Sequence, residues 1–222
     1  MKEVRGVWLS LAGAFTLGLP AAAQQPAFAL DGRAVALRLR SEVPADTQGL
    51  TGLGFRIDGR AGLGPVRIDV EYTQGSVTSA VASVPGEDVA DGHAMLGVRP
   101  FPWVTVDAGP QVRAYVIGGA TQRWVLWEVR ARAEGALIPG VITGYVGAWR
   151  AISGSVNLAA TFDHAQGGEV GACVRTTRLP LALELGYTID ATALGGAGRR
   201  AILEGLTVGI GFASRSGVSF PP

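Results

Sequence analysis

The sequence predicts an all-β protein, specifically a transmembrane antiparallel up-and-down β-barrel of ten strands. Three observations predict it. Apolar and charged residues alternate with period two through most of the chain after residue 24. Proline-bearing turns recur at spacings of 37, 37 and 41 residues, the size of a hairpin with its following loop. Beyond the N-terminal segment, no apolar run has the length of a membrane-spanning helix.

The N-terminal segment has the features of a secretory signal peptide. Lys2 and Arg5 precede the apolar run 7–19, and the small residues 21–23 follow it. We therefore predict a signal peptide over 1–23, the barrel over 24–212 and a short C-terminal tail over 213–222. A buried N-terminal helix is the alternative for the first segment.

The charge balance argues against nucleic-acid binding, and the cysteine count excludes a fold held by disulfides. The chain has 19 basic and 18 acidic residues, and removing Lys2, Glu3 and Arg5 with the signal peptide leaves 17 of each. A neutral chain has no electrostatic signal for nucleic acid. Cys173 is the single cysteine, so no intramolecular disulfide can form.

The strands follow in order from the alternation. The first spans about 34–42, where Val35, Leu37 and Leu39 alternate with Arg38 and Arg40. Four hairpins come next, and their tight turns end at Pro65, Pro102, Pro139 and Pro180. The last strand spans about 201–212. This organisation gives ten strands with both termini on the periplasmic side, or twelve if 155–162 and a partner also cross.

The connections between the hairpins are expected to be long extracellular loops. They cover roughly 43–49, 74–91, 151–168 and 191–199, with a short exception near 117–122. Tight turns that alternate with longer loops are typical of outer-membrane barrels, in which the short turns are periplasmic.

The stretch 66–72, "VRIDVEY", has one apolar and one charged face, and the sequence must indicate which of them lies inside the barrel. Its apolar face would line the core of a soluble barrel, but it would contact lipid in a membrane barrel. Charges of both signs mix on the other face, aromatic residues fall near strand ends, and the strands approach the 9–11 residues that cross a bilayer. These features favour the membrane barrel, with the apolar face outside.

This assignment predicts two sets of residues. The polar network of the lumen comprises Arg56, Asp58, Arg60, Arg67, Asp69, Glu71, Asp107, Arg113, Glu128, Arg130, Arg132, Glu134 and Glu184. The interfacial aromatic residues are Tyr72, Trp103, Trp149 and Tyr187.

The final strand carries a family resemblance. The stretch 205–212, "GLTVGIGF", resembles the terminal recognition strand of small bacterial outer-membrane β-barrel proteins, with Val208, Ile210 and Phe212 at alternate places. The resemblance implies localisation in the bacterial outer membrane, insertion by the barrel-assembly machinery and contact with outer-membrane lipids. Members usually end at the aromatic residue, whereas ten residues follow here, so either they form a tail or Phe220 ends the signal.

Residues capable of chemistry cluster in the predicted outer loops. They are Glu87, Asp88, Asp91 and His93 in one loop and Asp163, His164 and Glu169 in another. Carboxylates beside a histidine can activate water, and the arrangement resembles the omptin proteases, although Asp163 and His164 are adjacent and the omptin pair is separated by one residue. A lipid-modifying enzyme would instead combine His164 with Ser153 or Ser155.

The leading interpretation is a non-enzymatic outer-membrane barrel with a charged, largely filled lumen, acting as an envelope scaffold or a narrow polar pore. The alternatives are a surface hydrolase or lipid-modifying enzyme at the outer rim, and a soluble periplasmic barrel that binds an apolar ligand. We expect no cofactor, no metal site and no nucleic-acid partner, and the residues identify no protein partner.

Overall fold

The computed structural model is a closed barrel of ten antiparallel strands, as predicted. It describes residues 27–43, 46–81, 84–117, 119–158, 160–175, 181–195 and 199–213. The strands are β1 Ala27–Val43, β2 Asp46–Leu63, β3 Val66–Thr78, β4 Glu87–Phe101, β5 Val104–Ile117, β6 Ala120–Ile138, β7 Ile142–Val156, β8 Thr161–Arg175, β9 Leu181–Gly195 and β10 Arg199–Ala213. The predicted signal peptide and the tail beyond Ala213 lie outside the described residues.

Each strand pairs with its neighbours in the sequence, and β1 closes the barrel against β10. Ala29 near the start of β1 pairs with Ala213 at the end of β10, so both ends of the strand sequence lie at one end of the barrel. We call this the termini end and the opposite one the loop end. No helix among the described residues is long and apolar enough to cross a membrane.

The prediction of long loops at the loop end is wrong, because the strands continue through most of them. The intervals between strands there range from the two residues 44–45 to the eight residues 79–86. Glu87 already belongs to β4. In 155–162, β7 ends at Val156 and β8 begins at Thr161, and the closed sheet has ten strands, which excludes the twelve-strand alternative. Alternation persists in these polar segments, so the ladder of backbone hydrogen bonds continues with it.

Two tight turns at the termini end depend on glycine. Gly64, between β2 and β3, has φ of +61°, and Gly140, between β6 and β7, has φ of +72°. Side chains other than glycine rarely adopt these values. Each glycine is followed or preceded by a proline, Pro65 or Pro139, which lacks the N–H that a continuing strand would need.

The outer surface carries an apolar belt, and the lumen behind it is charged. On β3, Ile68 and Val70 are about half exposed on the outer face, whereas Asp69 between them is 9% exposed and points inward. The same arrangement holds on β2, where Phe55 and Ile57 face out and Asp58 faces in. A continuous apolar belt of this kind would be unfavourable in water. The belt therefore contacts lipid.

Near the loop end the two faces exchange their character. Val35, Leu37 and Leu39 on β1 are buried inside the barrel, and the Arg38 side chain is 60% exposed outside. The assignment of every apolar phase to the outside is therefore wrong for this part of β1. With 13 to 19 residues, the strands exceed the bilayer crossing, and their outer parts follow the soluble pattern of apolar inside and polar outside.

Candidate functional site

The lumen is the candidate functional site, and the structure places all thirteen residues of the predicted polar network on the inner face of the strands. Further inward-facing groups join them, including Asp31, Arg33, Asp91, Asp190 and Glu169. The interior has three layers from the termini end to the loop end. Two layers are held by ion pairs, and the last is apolar.

Arg33 organises one side of the layer nearest the termini. Its Nη2 lies 3.3 Å from Asp58 Oδ2 on β2 and 3.0 Å from Glu184 Oε2 on β9. Tyr145 on β7 donates its hydroxyl to Glu184 Oε1 at 2.7 Å. β1 pairs with β2 but not with β9, and β7 does not pair with β9. The contacts of Arg33 and Tyr145 with Glu184 therefore tie strands that do not pair directly.

Arg67 forms the second centre of this layer. Its Nε and Nη2 donate to the two carboxylate oxygens of Asp107 at 3.0 and 2.8 Å, a bidentate pair between β3 and β5. Asp69 lies 2.7 Å from Arg67 and 3.1 Å from Arg60. A planar guanidinium suits such shared carboxylates better than an ammonium does, which agrees with a network built only from arginine.

The wall formed by β6 and β7 contributes Arg132. Its Nε lies 2.8 Å from Glu134, its Nη1 lies 3.5 Å from Glu169, and its guanidinium stacks 3.8 Å from the centre of the Tyr145 ring. Arg132 therefore pairs its charge with two carboxylates and packs its guanidinium against an aromatic ring.

Arg113 is the centre of the middle layer and is 2% exposed. It donates through Nε to Asp91 and through Nη2 to Asp190 at 2.6 Å. Gln111 also donates to both oxygens of Asp91 at 3.0 Å. Because β4, β5 and β9 supply these groups, the pair of contacts spans the lumen from wall to wall.

Trp149 is a correction to the predicted aromatic girdle. It points into the lumen, is 7% exposed, and donates Nε1 to Asp190 at 2.8 Å. Arg130, which is paired with Glu128 at 3.0 Å, lies 5.7 Å from its ring centre. An aromatic residue with an apolar body and one donor is suited to the boundary between the charged and apolar layers, which is why spacing alone misplaced it.

The other three predicted girdle residues lie on the outer surface. Tyr72 and Tyr187 are about 40% exposed on β3 and β9, and Trp103 is 57% exposed in the turn between β4 and β5. Trp103 stacks on Phe101 with ring centres 5.9 Å apart. Trp127 also faces outward and is half exposed. Their outward direction agrees with the predicted girdle, and their depth in the membrane stays a prediction.

The third layer, which we call the outer plug, fills the lumen at the loop end. It consists of buried apolar side chains from all ten strands, each between 0 and 9% exposed. They are Val35, Leu37, Leu39, Leu50, Val77, Val89, Tyr115, Trp124, Leu126, Trp149, Ala151, Ala165, Leu194 and Leu203. Trp124 and Leu126 from β6 are 1% and 0% exposed. These side chains narrow the lumen at the loop end.

The predicted rim residues do not form one site. Asp91 and His93 lie inside the barrel, and Asp91 is already bound by Arg113 and Gln111. The structure does bring Asp163 Oδ2 within 2.9 Å of His164 Nδ1 on the surface of β8, where a register shift between Phe162 and His164 interrupts the alternation. Among the described residues, no group of three possible metal ligands occurs.

Several lumen residues follow the same period-two alternation but are absent from the predicted polar network. Asp190 continues the inward phase of Glu184 and Thr188 by one step, and Asp31 with Arg33 continues that of Val35. The glycine and acidic residues around Asp91 and His93 predict a loop, whereas the structure places both residues on β4. The signal for the outer plug was also present, since Trp124 and Leu126 share the phase of Glu128 and Arg130.

Inward-facing glycines leave room for the large network side chains. At Gly167, a Cβ would collide with the Trp149 indole, the Asp190 carboxylate and the backbone oxygen of Ile189. We expect Gly167→Ala to destabilise the folded barrel by about 1–3 kcal/mol, because backbone and indole must both shift. Gly32→Ala, where nothing lies within 4 Å of the added Cβ, should change the stability little. Urea unfolding in lipid vesicles measures both.

The arrangement as a whole identifies the class of barrel. An even number of antiparallel strands, both ends of the strand sequence at one end of the barrel, an apolar belt outside and a charged interior define the outer-membrane type. These features locate the protein in the bacterial outer membrane.

No protein-family model matches the chain, and no curated protein sequence matches it significantly. Solved structures similar to it include Neisserial surface protein A (NspA), with 14% identity, 83% of this chain and 97% of that one covered, and a TM-score of 0.45. The translocator domain of the autotransporter NalP from Neisseria meningitidis has 10% identity, 86% and 90% coverage, and a TM-score of 0.48. The outer membrane protease OmpT from Escherichia coli has 9% identity, 85% and 97% coverage, and a TM-score of 0.45.

Proposed function

We propose that the protein is a closed, non-enzymatic outer-membrane barrel that serves as an envelope scaffold and does not conduct ions. Of the two roles compatible with a charged lumen, scaffold or narrow pore, the filled interior favours the scaffold. Outer-membrane lipids are then its surroundings, and insertion by the barrel-assembly machinery follows from the resemblance of its last strand.

The observation that carries this proposal is the outer plug. Trp124 and Leu126 are completely enclosed, and apolar side chains from the opposite strands, such as Leu203 and Val35, pack in the same cluster. An ion that crossed this layer would exchange its hydration for mainly apolar contacts, which is unfavourable. In the charged layers below it, every arginine of the predicted network lies within ion-pair distance of a carboxylate.

Conductance of the refolded mature chain across a planar bilayer tests the proposal, with insertion confirmed by heat-dependent gel mobility. We expect no discrete current steps from the inserted protein, while a general porin treated in parallel conducts. Discrete, salt-dependent steps would mean an open lumen and would replace the scaffold by the narrow pore.

A surface hydrolase is the second candidate, and the contact between Asp163 and His164 favours it. A carboxylate that orients a histidine can support general base catalysis. Under the leading proposal, the refolded protein leaves a peptide library intact. Cleavage that disappears in both Asp163→Ala and His164→Ala, but not in Arg123→Ala, would establish the hydrolase instead.

A further inference from the structure

Two arginines on the outer surface are placed where lipid headgroups begin. The outer face of β1 is apolar from Phe28 to Ala36, a stretch of nine residues, and the next outward residues are Arg38 and Arg40. Nine residues rise about 30 Å along a strand and about 23 Å along the membrane normal at a tilt of roughly 40°. This height is close to that of the apolar belt of outer-membrane barrels, so Arg38 and Arg40 lie at its outer edge.

A single carboxylate on β10 contacts both arginines. Glu204 Oε2 lies 3.3 Å from Arg40 Nε and 3.8 Å from Arg38 Nε, and Tyr187 on β9 donates its hydroxyl to Glu204 Oε1 at 2.7 Å. Glu204 is therefore fixed from both sides. Both arginines approach it through Nε, the nitrogen nearest the chain, and the Arg38 side chain is still 60% exposed.

The charges of this surface do not cancel. Arg38 and Arg40 share one carboxylate, which leaves one positive charge in excess. The next outward residues, Glu42 on β1 and Arg200 on β10, are cross-strand partners and balance each other. Two guanidinium groups on the same face of a strand, two residues apart, can donate together to the oxygens of one phosphate.

We propose that Arg38 and Arg40, held by Glu204 and Tyr187, bind the phosphate of a lipid headgroup in the outer leaflet. A lipid is the source of the phosphate because the apolar outer face of β1, β10 and β9 continues directly below the pair and accommodates acyl chains. Leu206, Val208 and Ile210 of β10 are each about half exposed there. The site lies on the outer surface and is independent of whether the lumen conducts.

Native mass spectrometry of the refolded protein in a zwitterionic detergent tests the site, with phosphatidic acid as the probe and phosphatidylcholine as the comparison lipid. We expect phosphatidic acid to bind more tightly than phosphatidylcholine. In the Arg38→Gln/Arg40→Gln variant its affinity should fall about tenfold, as expected from the loss of charge-assisted hydrogen bonds.

The Arg123→Gln/Arg150→Gln variant is the matched control, because these arginines are also exposed on the outer face but belong to β6 and β7. It should retain the affinity for phosphatidic acid. Equal losses in the two double variants, or no loss in the first, would overturn the site. Displacement of the lipid by an equal concentration of inorganic phosphate would assign the pair to free phosphate and overturn the lipid assignment. Heat-dependent gel mobility confirms that each variant is folded.

Discussion

Replacing Arg113 by methionine is expected to destabilise the barrel by about 3–5 kcal/mol, the largest effect of any single substitution considered. Arg113 is enclosed in the lumen and is the common cation of Asp91 and Asp190. Its removal leaves Asp91 and Asp190 without their direct ion-pair partner, and breaking a buried ion pair in this way is strongly destabilising. The free energy of unfolding by urea in lipid vesicles measures the effect.

A compensating variant separates this explanation from simple loss of packing. Arg113→Met combined with Asp91→Asn and Asp190→Asn removes all three charges, and we expect it to regain much of the lost stability. Arg123→Met, at an exposed outward position, should change stability by about 0.5 kcal/mol or less. A compensated variant as unstable as Arg113→Met would show that the ion pairs are not the cause.

Val70→Arg is expected to destabilise the barrel by about 2–4 kcal/mol in a lipid bilayer. Val70 lies midway along the outward-facing stretch of β3 that runs from Val66 to Gln74, and it is 51% exposed. An arginine there must be transferred from water to the middle of the membrane, and its charge has no partner in lipid. Urea unfolding from vesicles of matched thickness measures this cost.

Gln74→Arg is the depth control for this substitution. Gln74 shares the outward face of β3 but lies four residues closer to the loop end, and the cost there should be about 0–1 kcal/mol. In a soluble barrel both positions would contact water, and arginine would be tolerated equally at each. Equal costs at the two positions would therefore contradict the membrane depth assigned to β3.

The alternation of β2, β3 and β6 was sufficient to predict the strands and the direction of their side chains across the membrane. Arg56, Asp69 and Arg130 lie inside as predicted. Successive side chains of a strand point to opposite faces, and only the apolar face is compatible with lipid. The number of strands followed from the proline turns, which recur every 37 to 41 residues and interrupt hydrogen bonding.

The sequence was less informative about the loop end, where the solvent outside changes from lipid to water. There Val35 and Trp124 belong inside and Arg38 outside, the reverse of the pattern in the belt. Alternation looks the same on both sides of this boundary, so it cannot show where the exchange occurs. Partners such as Trp149 and Asp190 also depend on contacts across the lumen, which no local pattern specifies.

Two tryptophans three residues apart provide the most direct test of which face is outside. Trp127 points outward and is 53% exposed, whereas Trp124 is enclosed in the outer plug. Variants that retain one of them, with Trp103, Trp149 and the other of the two replaced by phenylalanine, are refolded into vesicles of lipids brominated on their acyl chains. We predict strong quenching of Trp127 fluorescence and little quenching of Trp124. Quenching of Trp124 with Trp127 unaffected, or no quenching of either, would contradict the membrane barrel with its apolar face in lipid.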